Sequence, residues 1–324
     1  MNLLPRSLNA TGLYEGQRDP ATGVGSVAVA NVSCGFDALG FAVAELGDEI
    51  YLRKTAKDIV ITKIEGADLP LDPKKNVAGV VAEAMLKDAN VDFGLEIALY
   101  KNYKPGSGLG SSAASSAGTA YAVNQLLGTP YSMEALVEFA RLGEFVACGS
   151  PIADNVSAAL FGGFVLVRNL EPLHVISLPT PKNLYATLVH PQIEIKTADA
   201  RAVLPKQVSL ETATKQWAHV GAFVHGLHTS DYNLLGAAMF DGVAEPARKV
   251  LIPLFDEARE VALENGAIGL GISGSGPTLF ALCEGKKAAL QVETSLSDLY
   301  SVSAIAFRTY VSKISEQGVK TIST

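Results

Sequence analysis

Pro105-Gly106-Ser107-Gly108-Leu109-Gly110-Ser111-Ser112 runs straight into a stretch of very small residues that can form a helix. Three alternate glycines let backbone amides approach an anion closely. A helix N-terminus just behind them adds unpaired N–H groups and a favourable dipole. The hydroxyls of Ser111 and Ser112 suit phosphate or a magnesium ion. No lysine follows the last glycine, as a Walker loop requires. The G-x-G-x-G spacing, with no early βαβ unit, is also wrong for a dinucleotide fingerprint. A flexible glycine-serine turn is the competing reading, and continuation into a helix favours phosphate binding.

A second chemical group stands on a predicted helix that starts at Ser132. Met133, Leu136, Val137, Ala140 and Ala147 form its apolar stripe, and Glu144 falls on the same stripe. A buried carboxylate is costly unless it is paired or bound to metal. An ion pair with a lysine or arginine is one reading. The other is a magnesium ligand, since magnesium is held by one or two carboxylates together with phosphate oxygens.

The predicted elements that position these groups alternate irregularly. SVAVANV, EIYLRK and DIVITKI read as short strands separated by Gly and Asp clusters. Asn76 is a candidate N-cap for a helix with Val77, Val80, Val81, Ala84 and Met85 on one face. LEIALYK, GGFVLVR, HVISL and YATLVH read as strands. Further helices are expected at about 210–227 and 246–265, the latter kinked at Pro253. Two strands flank Ser273-Gly274-Ser275-Gly276-Pro277, a loop expected to pack on the phosphate loop, and a last strand is expected near 303–310. Strands beside helices without regular βαβ alternation favour an α+β fold. The expected organisation is a leader over 1–24, an N-terminal domain over 25–162 and a C-terminal domain over 163–324.

Composition sets limits on function. Of 324 residues 48% are apolar and 18% charged, and 26 basic against 33 acidic side chains give a net charge of −7. A large core is expected, and nucleic-acid or anionic-membrane partners are not. Three cysteines without a CxxC argue against a disulfide or zinc framework and fit a reducing, cytoplasmic setting. The uncharged stretch 266–283 is broken by its glycine loop, so no membrane span is expected. His219, His225 and His228 share a helix but lack a metal-binding signature.

PGSGLGSSAASSAGTAYAVNQLLG resembles the phosphate loop and following helix of the GHMP kinases (galacto-, homoserine, mevalonate and phosphomevalonate kinases). GISGSGPTLFAL resembles their C-terminal glycine motif. ANVSCGFDALGFAV, DPKKNVAG, LGEFVACGSPIADNVSAALFGGFVLV, TADARAVLPK and EPARKVLIP narrow the resemblance to the homoserine kinase branch. The chain departs from that branch at Val32-Ser33, where Leu-Gly is usual, and it lacks the preceding proline. Asn31, Gly35, Phe36 and Asp37 stay in register.

The resemblance implies a two-domain GHMP kinase fold: an N-terminal domain like domain 2 of ribosomal protein S5 and a ferredoxin-like C-terminal domain. It implies ATP-dependent phosphorylation of L-homoserine to O-phospho-L-homoserine, on the route to threonine. ATP would lie on Asn76 and on residues 105–112 (Pro105, Gly106, Ser107, Gly108, Leu109, Gly110, Ser111 and Ser112), with magnesium on Ser112 and Glu144. Asn31, Asp37, Asn155, Arg201 and Arg248 would hold the substrate, Asp37 taking its ammonium and the arginines its carboxylate. Asp154 is the position of a base in mevalonate-type relatives, whereas in the homoserine branch Asn155 faces the hydroxyl. The pair Asp154-Asn155 also reads as a plain helix cap. A homodimer is a family-level expectation.

Overall fold

The structure, a computed structural model, describes residues 21–322. Strands β1 (Ala21–Val32), β2 (Gly35–Thr55) and β3 (Ile59–Glu65) lead to α1 (Val77–Asp88) and β4 (Gly94–Tyr100). Next come α2 (Ser111–Leu126), α3 (Met133–Cys148), α4 (Asp154–Phe161) and the hairpin β5 (Phe164–Leu170) and β6 (Leu173–Leu178). The second half holds β7 (Leu184–Pro191), α5 (Thr197–Ala202), α6 (Leu210–Thr229), α7 (Tyr232–Ala238) and α8 (Glu245–Arg248). It finishes with α9 (Phe255–Glu264), β8 (Ala267–Ile272), β9 (Leu279–Glu284), α10 (Gly285–Ser301), β10 (Phe307–Lys313) and β11 (Lys320–Thr321).

Two sheets organise this α+β chain. The first runs β11-β1-β2-β4-β3, with β5 added to β2 and β6 to β5. The second is four-stranded and antiparallel, ordered β10-β7-β9-β8. Its chain order β7-α-β8-β9-α-β10 is the ferredoxin-like arrangement. The two expected short strands 26–32 and 49–54 are parts of longer ones, and β2 is a single 21-residue strand. The register shift between Ser26 and Val27 skips residues 44–46 of β2, while Gly47 and Asp48 stay paired with Ser26 and Gly25, so β2 runs past its Gly/Asp cluster with a bulge beside it and not a break.

Residues 1–20 of the expected leader lie outside the described residues, and residues 21–24 already belong to β1. The expected boundary at 162/163 falls inside the first sheet, because β5 pairs with β2 at Leu39↔Leu166, Gly40↔Val165 and Phe41↔Phe164. The chain also returns to this sheet at its end. Ser315 N–H donates to the Ala42 carbonyl at 2.9 Å, Val319 N–H to Ala159 at 2.9 Å, and β11 pairs with β1 at Gly23↔Thr321.

One apolar cluster packs α1, α2, α3 and α4 on the first sheet. Ala113, Ala114, Ala117 and Ala120 of α2 are fully buried and small, which lets the helix lie close to β1 and β2. A second cluster joins the two sheets through Phe41, Phe164, Phe223 and Phe280, and a third packs α9 and α10 on the second sheet. The buried face of α1 is Ala78, Val81, Ala82 and Met85, with Val77, Val80 and Ala84 only partly buried, a rotation from the expected face. The expected kinked helix 246–265 is two helices. Pro253 and Leu254, at φ 58°, separate them, because proline cannot supply the N–H that a continuous helix needs.

Candidate active site

A polar cleft lies between the phosphate loop, the start of α4, α5, α8 and the loop between β8 and β9. Its floor is the segment 105–110, where Gly106, Gly108 and Gly110 have φ of 73°, 79° and 63°. A Cβ on Gly108 would lie 2.7 Å from the Ser273 carbonyl oxygen and 2.8 Å from that of Gly276, so this position needs glycine twice over. The β8–β9 loop pins the floor: Ser273 Oγ donates to the Gly108 carbonyl at 2.6 Å and Thr278 Oγ1 to the Ser107 carbonyl at 2.5 Å. The expected packing of the two glycine loops is therefore present. Gly110, at the N-cap of α2, makes no side-chain cap among the described residues, which leaves the helix's first amides available to an anion.

Glu144 projects from α3 into this floor. Its Oε2 accepts from Ser112 Oγ at 3.1 Å. Among the described residues, Glu144 Oε1, Asp154 Oδ2 and Asn155 Oδ1 are buried with no hydrogen-bond partner. All three residues line the cleft, and unpartnered oxygens there are what a cation and a hydroxyl would satisfy. Burial pushes the Glu144 carboxyl up to about 7. The Ser112 hydrogen bond opposes that rise, nearby Asp154 adds to it, and Lys101 counters it. Burial also raises Asp154 to about 7, helped by Asp37 and opposed by nearby amides and Arg201. Among the described residues no three His, Cys, Asp or Glu side chains converge, so a metal here would rely on Glu144, Ser112 and ligand oxygens.

Asp154 and Asn155 open α4, but neither caps it. Asp154 Oδ1 accepts the Asn155 amide at 2.9 Å, and the N-cap position is Ala153. Asn31, at φ 55°, braces the far wall: its Oδ1 accepts the Asp37 amide at 2.9 Å and its Nδ2 donates to the Gly274 carbonyl at 2.8 Å. Asp37 and Arg201 face each other across the mouth in a two-bond ion pair, Nη2 to Oδ1 at 2.8 Å and Nη1 to Oδ2 at 3.1 Å. Arg248 is buried and ties α8 to its neighbours, Nε donating to the Ala200 carbonyl and Nη1 to that of Gly274. Phe36 lies under both guanidinium groups, 5.0 Å from Arg248 and 6.0 Å from Arg201.

Seven stretches far apart in sequence thus share one cavity wall: Asn31, Asp37, Pro105, Gly106, Ser107, Gly108, Gly110, Ser111, Ser112, Glu144, Asp154, Asn155, Arg201 and Arg248 all line it. Two expected site residues stand elsewhere. Leu109 is buried in the core joining the sheets, where it anchors the loop. Asn76 caps α1, its Oδ1 accepting the Ala78 amide at 3.0 Å and its Nδ2 donating to Pro70, and it does not line the cleft. Thr197, Cys148 and Ser275 line the cleft and were not expected there, although each lies inside a motif singled out in the sequence.

A phosphate loop on an uncapped helix, a buried carboxylate beside it and a charged mouth define a kinase site of the GHMP type. Models of that family agree: the GHMP kinases N terminal domain matches residues 76–163 and the GHMP kinases C terminal domain matches 223–302. A homoserine kinase of Chlorobaculum tepidum is 46% identical, covering 94% of this chain and 98% of its own length. The crystal structure of homoserine kinase from Cytophaga hutchinsonii has a TM-score of 0.91 at 46% identity, covering 95% of this chain and 99% of that one. L. major mevalonate kinase in complex with R-mevalonate, 17% identical with a TM-score of 0.68 over 92% and 97% of the two chains, shares the fold. The chain belongs to the homoserine kinase family of GHMP kinases.

Proposed function

We propose that this chain transfers the γ-phosphoryl group of ATP to the side-chain hydroxyl of L-homoserine, with magnesium held by Ser112 and Glu144. The observation that carries the reading is the pairing, in one cleft, of an anion-binding floor with a mouth that holds one acid and one base, Asp37 and Arg201. An amino acid needs both charges matched, whereas mevalonate has no amine. Bound magnesium would neutralise charge on the transferring phosphate. The amides of the loop and of α2 hold the triphosphate, and Asn155 orients the acceptor hydroxyl. An ATP-to-ADP assay against homoserine, mevalonate, galactose and shikimate tests the reading. Turnover with homoserine well above the rest is expected, and preference for another alcohol overturns it.

Phosphoryl transfer through a loose transition state asks mainly for alignment and charge neutralisation, so no strong base is needed. Asp154 then supports the hydrogen-bond network beside Asn155. Asp154→Asn keeps the shape and removes the basicity, and it should cost only a few-fold in kcat, with weaker magnesium binding. A general base typically contributes about 10²–10⁴ in rate, and a loss of that size with intact magnesium affinity would show that Asp154 takes the proton.

The raised carboxyls also predict how the ligand-free protein responds to pH. A carboxyl that titrates higher folded than unfolded binds its proton more tightly when folded. For Glu144 and Asp154 the contribution is full below the ordinary carboxylate range and is lost as pH rises through about 7. The thermal midpoint measured without ligands should fall across that window, and Glu144→Gln should flatten the fall. An unchanged slope in the variant would contradict it.

A further inference from the structure

Beneath the phosphate loop lies a charged pair that the reaction itself does not call for. The β2–β4 ladder ends at Glu49↔Tyr100, and continuing its register sets Asp48 opposite Lys101. Both side chains are fully enclosed, at 0% and 1% exposure. The Lys101 ammonium has three acceptors: the Asp48 carboxylate, the Ser111 carbonyl at 2.8 Å and Ser115 Oγ at 2.8 Å. Ser115 Oγ in turn donates to Asp48 at 2.9 Å. Burying an ion pair gains little stability over an apolar pair of similar volume, so this one calls for another role.

The contacts indicate that role. Ser111 and Ser115 are the first residue and the next-turn residue of α2, the helix whose uncapped N-terminus floors the cleft. Ser273 and Thr278 fix the loop at Gly108 and Ser107, before the helix begins. Lys101 fixes it after Gly110, from below, and is continuous with the rigid β2–β4 ladder. The loop is thereby clamped on both sides of Gly110, the residue at which its backbone turns into α2.

The geometry points to Lys101 as a positioning residue for nucleotide binding: through the Ser111 carbonyl and Ser115 hydroxyl it sets the direction in which the first amides of α2 face the phosphates. The inference rests on the kinase reading above. Lys101 touches no substrate, so its effect falls on ATP and spares homoserine.

Lys101→Met alone strands a buried Asp48, so the test removes both charges at once. Asp48→Leu with Lys101→Met should fold, with its thermal midpoint near that of the parent. Its KM for ATP should rise about 10- to 100-fold, the scale of a misplaced binding group, with the KM for homoserine unmoved. Asp48→Asn with Lys101→Gln keeps donors for the Ser111 carbonyl and should recover most of the lost ATP affinity. Ser115→Ala, which removes one anchor and keeps the ion pair, should raise the KM for ATP several-fold and keeps the test open if the apolar pair does not fold. Unchanged ATP binding in Ser115→Ala and in the folded apolar pair, or equal losses for both substrates, overturns the assignment. If the parent neither binds ATP nor phosphorylates homoserine, the kinase reading has failed. If the parent does both and only the variants are silent, the fault lies with Lys101 alone.

Discussion

Glu144→Ala and Ser112→Ala should each lower kcat by about 10²–10³, the usual cost of losing one preorganised electrostatic contact, while the protein stays folded. The structure supplies the reason. Glu144 is 3% exposed, one of its oxygens accepts from Ser112 and the other has no partner among the described residues. Burial raises its carboxyl to about 7, so a lone ionised Glu144 is strained in the ligand-free cleft. A bound divalent cation would offset that cost, and alanine removes both the charge and its site. Glu144→Ala should therefore lose rate and magnesium dependence together, and it should not lose thermal stability. The check is kcat against magnesium at saturating ATP. Near-parental turnover by both variants would remove magnesium from these residues.

Arg201→Ala should lower kcat/KM for homoserine by roughly 10- to 150-fold, because a hydrogen bond to a charged group is worth about 1.5–3 kcal/mol. In the structure Arg201 is paired with Asp37. A zwitterion can exchange for that pair without leaving a charge unmatched, offering its carboxylate to the guanidinium and its ammonium to the aspartate. A substrate with only one of the two charges strands the other partner. 4-Hydroxybutyrate and 3-aminopropan-1-ol should therefore both be poor acceptors. Arg248→Ala should cost a similar factor. Two of its donors already brace Ala200 and Gly274, so its loss also loosens α5, which carries Arg201. Unchanged kcat/KM for either arginine variant would rule out the clamp.

The parts of this site legible in the sequence were those set by local chemistry. Alternate glycines running into small residues announced the phosphate loop, and the helical spacing from Met133 placed Glu144 among buried neighbours before any contact was known. The Asn76 cap was equally local. What depended on partners distant in sequence was hidden. Asp48 and Lys101 are 53 residues apart, one in a Gly/Asp cluster and the other at the end of the expected strand LEIALYK, and only the strand register brings them together. The continuity of β2 across its Gly/Asp cluster needed β1 alongside to absorb the bulge. The division of the chain at 162/163 was hidden for the same reason, since the hairpin β5–β6 has no local mark to say which sheet it will join.

The return of the chain after β10 has a thermodynamic consequence. Two units made from consecutive stretches can open separately, each with its own free energy. Here the strand that finishes the first sheet, β11, is covalently the tail of the second, and Ser315 and Val319 hold that tail against Ala42 and Ala159 on the way. The core containing Phe41, Phe164, Phe223 and Phe280 is likewise shared by both sheets. Melting of the ferredoxin-like half releases the closing strand and exposes that shared core. The two halves therefore form one cooperative unit, and the cleft between them is fixed by the stability of the whole chain.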